Sequence, residues 1–158
     1  MRKRRAPRRL FVDKSIEINA RPSDVWSVLT ERAYTDQWAR EFSRGGPEFH
    51  IESSWKLGEP VLWKDPDGRP LVEGVVTKLK PQRRLHFTAA DVRLPRPELT
   101  AADGIDCEIE DRGRRTKLHV RQGDFSTIEE GEKYRSLSDD IWSRVLPRMK
   151  RMAEARVH

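Results

Sequence analysis

The chain has a single cysteine, Cys107, in 158 residues. One thiol cannot form an internal disulfide or anchor a multi-cysteine metal site, which agrees with a reducing compartment. No apolar run approaches the ~20 residues needed to cross a bilayer. The N-terminal apolar stretch Leu10–Val12 is too short for a secretory signal core. The expectation is a soluble, cytoplasmic protein without a membrane span. Histidine is also scarce: His50, His86, His119 and His158 are scattered, and none sits at ligand spacing with carboxylates, so no metal is expected. A Gly-x-Ser-x-Gly elbow, a phosphate-binding Gly-rich loop and a dinucleotide fingerprint are all missing. These absences argue against the common cofactor enzymes, so no cofactor is expected and no catalytic residue is assigned.

Charge is plentiful but unevenly placed. Lys and Arg number 32 and Asp and Glu 26, a formal net charge of +6. Residues 1–9, MRKRRAPRR, hold six basic residues and no acid, so they carry the whole excess. The remainder is neutral and is not a basic surface made for nucleic acid. Residues 1–9 read as a flexible, solubilising arm, able at most to attract nucleic acid or anionic lipid nonspecifically. Residues 10–158 read as a single domain, whose length and spaced Trp and Phe suit one core.

Along that domain the hydrophobic period switches between two and about 3.6. Leu10, Val12, Ile16 and Ile18 alternate with Phe11, Asp13, Ser15 and Glu17, a strand with a slip at Lys14. Pro22 and Asp24 then suit the first turn of a helix running to about Thr30, and a second short helical turn spans Tyr34 to Ala39. After Gly45-Gly46-Pro47, alternation predicts strands over Phe49–Leu57, Val61–Trp63, Leu71–Leu79, Leu85–Ala89, Ile105–Glu110 and Thr116–Gln122, with Asp65-Pro66-Asp67-Gly68 closing a hairpin. The last two strands should pair acids with bases across a second hairpin. Residues 91–103, with Pro95 and Pro97, read as a loop that could gate a cavity. From Glu129, Tyr134, Leu137, Ile141, Val145, Met149 and Met152 define the apolar face of a long helix, with Pro147 expected to kink it near Ser143.

Sequential hairpins demand an antiparallel sheet, and one long amphipathic helix covers one face of it. The fold class is therefore α+β: a curved antiparallel sheet of about six or seven strands wrapped around a C-terminal helix, with two short helices after the first strand. SIEINARPSDVWSVLT (residues 15–30) followed by Trp38, EGVVTKLKPQRRLHFT (residues 73–88), and TKLHVRQGDF (residues 116–125) followed by a helix carrying Trp142 occur in this order. Together they resemble the activator-of-heat-shock-protein-ATPase-like domains of the START-related, birch-pollen-allergen-like (SRPBCC) helix-grip superfamily. Gln122 stands where relatives often carry His, and Asp140-Ile141 precedes Trp142 where Gly is common.

The resemblance implies a cavity between sheet and helix that binds a hydrophobic or amphipathic small molecule. Trp38, Phe49, Trp55, Trp63, Phe87, Tyr134 and Trp142 are suitable wall residues, with Met149 deeper, because aromatic rings give large shaped apolar contacts. Plain core packing is the alternative reading for each ring. Glu73 and Gln122 fall on strand positions that alternate with apolar residues and could orient a ligand, though Glu73 could instead reach solvent or pair with an Arg. Ser53 reads as a space-filler and Cys107 as a buried, inert thiol. The expected function is ligand binding without a resolved reaction. The alternatives are a polyketide-cyclase-like or hydrolase-like enzyme with Glu73 as base, and a stress-related co-chaperone. A homodimer through the long helix is a further possible partner relation.

Overall fold

The computed structural model describes residues 9–43, 48–93 and 98–156. The basic stretch up to residue 8, the Gly-Gly-Pro cluster, Pro95, Pro97 and His158 lie outside the described residues. The chain is α+β. Strand β1 (Val12–Ile18) is followed by helices α1 (Pro22–Thr30) and α2 (Arg32–Trp38), the latter running into a 3-10 turn at Ala39–Phe42. Strands β2 (His50–Glu52), β3 (Pro60–Lys64), β4 (Pro70–Lys80), β5 (Arg84–Thr88), β6 (Ala90–Asp91), β7 (Gly104–Asp111) and β8 (Thr116–Gln122) come next, and helix α3 (Gly131–Glu154) ends the fold. The order across the sheet is β1-β8-β7-β5-β4-β3-β2, with β6 pairing on β4, and the pairs are antiparallel.

Local chemistry accounts for these elements. In α1, Pro22 occupies the first turn and the Asp24 carboxylate accepts a hydrogen bond from the Arg21 backbone N–H at 3.3 Å. Asp24 is itself buried and accepts a second bond from Arg156 Nε at 3.0 Å, which ties the end of α3 to the start of α1. The β3–β4 turn is held by Asp65 Oδ1, which accepts from the N–H groups of Asp67 and Arg69 at 2.9 Å. In the β7–β8 hairpin, Asp106, Glu108 and Glu110 face Arg121, His119 and Lys117, so opposite charges lie directly across the ladder.

The strand expected over Phe49–Leu57 is much shorter. It ends at Glu52 because Ser53 turns back on the backbone: its Oγ donates to Pro60 O at 2.7 Å and accepts from Trp55 N at 3.0 Å. Trp55 then takes the left-handed region at φ 53°, and Leu57 stands exposed. The sheet has one strand beyond the expected six or seven, the two-residue β6, because Ala90 and Asp91 return to pair with Glu73 and Val72. Helix α3 continues through Pro147 to Glu154. It packs against β1 and α1, burying Ile141, Trp142, Val145, Leu146, Met149 and Ala153, while Tyr134 and Leu137 remain outside that buried stripe.

Candidate functional site

A cavity of about 240 Å³ lies between the sheet and α3. Trp63 on β3 and Val72 on β4, directly paired across the ladder, form one wall. Ile105 on β7 and Gln122 at the end of β8, also paired, form the other. Phe42, Phe49 and Ala89 close it from the connections, and Ser138 faces it from α3. Asp91 and Arg93 stand at the rim, Arg93 being exposed. The volume exceeds the ~150 Å³ of an engineered protein cavity that admits benzene and lies below the ~300 Å³ of drug-sized pockets. It suits a compact ring system whose remainder projects past the rim.

The rings behind this wall form one edge-to-face cluster. Trp63 meets Phe42 at 5.2 Å, Phe49 at 5.9 Å and Trp38 at 6.1 Å, and Phe42 meets Trp142 at 5.3 Å. Such pairs add ~0.5–1.5 kcal/mol each beyond area burial, so the wall is stiff. Trp38 anchors it by donating its indole N–H to Val28 O at 2.8 Å. Trp142 donates its indole N–H to Gln122 Oε1 at 3.0 Å. An indole nitrogen can only donate, so this bond decides which end of the Gln122 amide is oxygen. Trp63 also buries its indole nitrogen, with no hydrogen-bond partner among the described residues. Leaving such a group unpaired costs about 1–3 kcal/mol.

Charge at the rim is self-compensating. Arg93 Nε and Nη2 donate to the two carboxylate oxygens of Asp91 at 2.9 and 2.8 Å, and this pairing raises the Arg93 pKa above its ordinary value. Among the described residues, the wall carries no histidine or cysteine, and no group of three or more His, Cys, Asp or Glu could hold a metal. Cys107 is buried away from this wall, and burial pushes its thiol up to about 12, where it is neutral and inert at pH 7.

Of the residues expected from the sequence to line a ligand site, Phe49, Trp63 and Gln122 border the cavity. Trp38 and Trp142 support it from behind. Trp55 and Phe87 instead form a separate edge-to-face pair at 5.5 Å, and neither borders the cavity. Tyr134 is 38% exposed near the start of α3, with Lys133 Nζ 5.9 Å from its ring. Glu73 is exposed, the solvent-facing one of the two placements that the sequence left open, and it does not border the cavity. The phase of β4 puts Val72 on the cavity wall and Glu73 on the opposite side. The expectation missed Phe42, which lies in a 3-10 turn without periodicity. It also missed Ser138, although a residue one helical turn before Trp142 shares its face.

His86 lies on the sheet face away from this wall, hydrogen-bonded with Thr77 Oγ1. Burial lowers its pKa and nearby Lys78 and Arg84 add to that, while Asp106 opposes it. The folded protein thus binds fewer protons at this site than the unfolded chain, so stability falls as pH drops from above the ordinary histidine value through the lowered one. His86→Asn should flatten the acid-side decline between about pH 7.5 and 5. Urea midpoints measured across that range check it, and parallel curves for the two proteins would refute it.

The description "Activator of Hsp90 ATPase homolog 1-like protein" names a family whose profile matches residues 19–154. The chain belongs to that family. Solved structures agree on the fold. The Aha1 dimer from Colwellia psychrerythraea superposes with a TM-score of 0.67 at 16% identity, covering 92% of this chain and 97% of that one. A protein from Mesorhizobium loti gives 0.69 at 14% identity, covering 92% and 99%. A Plasmodium falciparum protein described as an HSP90 activator gives 0.57 at 12% identity, covering 73% of each. Comparison with curated proteins gives no match. Among the described residues of this Activator of Hsp90 ATPase homolog 1-like chain, no helix is long and apolar enough to cross a membrane.

Proposed function

We propose that this chain holds a small hydrophobic or amphipathic molecule in the cavity between α3 and the sheet. The observation that carries the reading is a cavity lined by aromatic and aliphatic side chains together with a few polar groups, among them the Gln122 amide oriented by Trp142. That combination is what small-molecule sites use: apolar area for affinity and a few fixed polar groups for orientation. Phe49, Trp63 and Gln122 are the proposed ligand contacts, with Trp38 and Trp142 holding them in place. Family membership is compatible with a ligand-binding or a co-chaperone-like domain. An enzyme using Glu73 as base in this cavity does not fit the geometry, since that carboxylate is exposed and off the wall. A homodimer is the proposal that follows from the dimeric Colwellia relative.

The test is native mass spectrometry of the purified protein, followed by denaturing extraction and a thermal-shift screen of small apolar metabolites. A bound ligand at ~100 times its Kd stabilises by about 2.7 kcal/mol. For a domain of this size that raises Tm by roughly 5–10 °C. Ala89→Trp, which fills the cavity, should remove both the copurified mass and the Tm rise. A flat screen together with an empty protein would sink this reading and direct attention to binding of a heat-shock ATPase. Shifts that persist in Ala89→Trp would place the ligand elsewhere.

A further inference from the structure

Resting on the cavity reading above, we infer that the ligand carries a neutral hydrogen-bond acceptor oxygen, as in an aryl ketone, and that Gln122 reads it. The argument is one of donor and acceptor accounting. Gln122 Oε1 is taken by the Trp142 indole N–H at 3.0 Å, and Trp142 is 1% exposed, so its indole N–H has no water to turn to instead. Rotating the amide by half a turn would set two donors against each other, so the amide is locked with its NH₂ group as the end left for the cavity. Trp63, on the facing wall, adds no second donor: its indole nitrogen is unpaired among the described residues but closed off even from water, and so from a ligand oxygen. The Ser138 hydroxyl borders the same space. The one carboxylate on the wall, Asp91, already accepts from Arg93 through both oxygens, and the pair is electrically neutral. Among the described residues, the cavity therefore offers the Gln122 amide N–H groups and carries no uncompensated charge. An oxygen acceptor on a compact apolar skeleton satisfies the Gln122 amide group; a hydrocarbon of the same shape displaces water from it and leaves it unpaired.

Acetophenone and α-methylstyrene have the same shape and differ in a carbonyl oxygen against a methylene group. Titrating each into the full ¹⁵N-labelled chain should give at least about tenfold tighter binding of acetophenone. The Gln122 side-chain NH₂ signals should move with the ketone. Gln122→Glu keeps an oxygen for Trp142 and removes the amide donors, and it should bring the two affinities to within about threefold while α-methylstyrene still binds. Gln122→Met serves the same purpose if the added carboxylate unfolds the chain. Equal affinities in the wild type would overturn the acceptor inference and leave the cavity reading standing. Binding of neither probe would bring down both. A ketone preference that survives both Gln122 variants would show that Gln122 is not the reader.

Discussion

Gly74→Ala is expected to lose about 4 kcal/mol or more of stability, a large part of the ~5–15 kcal/mol that holds a domain folded. A Cβ placed on Gly74 would lie 1.6 Å from the carbonyl oxygen and 2.3 Å from the carbonyl carbon of Thr88. Both are backbone atoms, and Thr88 has little room to retreat. Its Oγ1 accepts from the Val75 N–H at 2.9 Å, and β5 before it and β6 after it are both paired to β4. The chain runs from β5 into β6 along one edge of β4 and Thr88 lies against Gly74 between the two pairings, so the added methyl would force one of them apart. Urea or thermal unfolding of the soluble fraction reads the effect. A variant with the wild-type midpoint would show that Thr88 can move aside, and would remove the close approach as the reason for glycine here.

Trp142→Ala should cost about 3–5 kcal/mol, because it empties the volume of a fully buried ring. Trp142→Phe separates packing from hydrogen bonding. The phenyl ring keeps most of the contact with Phe42, but Gln122 Oε1 loses its donor, at a cost of about 1–3 kcal/mol. In a Gln122→Met background that second cost should largely vanish, since no acceptor is left to strand. A double-mutant cycle on Tm and urea midpoints measures the coupling. Additive effects would mean that the 3.0 Å bond contributes nothing net, and would also free the amide to turn, which the proposed ligand selectivity does not allow.

Much of this arrangement is legible in the order of residues alone. Pro22, Asp24 and the Val25, Val28, Leu29 spacing mark α1 with its observed bounds, because proline and a first-turn acid are local signals. The β7–β8 register follows from acids on one strand and bases on the next. The face of β4 is a different matter. Leu71 and Val75 support one phase of the alternation and Val72 and Val76 the other, so a period of two fits both and cannot say whether Val72 or Glu73 points inward. Trp55 shows the same limit from another side. It alternates faithfully with its neighbours, but the Ser53 hydroxyl offers the backbone a competing partner and ends the strand first.

By itself, then, the sequence determined the α+β class, the hairpin succession and the long C-terminal helix, because these depend on local period and turn residues. Only the tertiary structure decided which aromatic rings share a wall, that Phe42 joins them, and which way the Gln122 amide is turned. Those outcomes depend on contacts between residues as distant in the chain as Phe42 and Trp142, or Trp63 and Gln122. Such contacts exist only once sheet order and the position of α3 are set, and no short-range pattern encodes them.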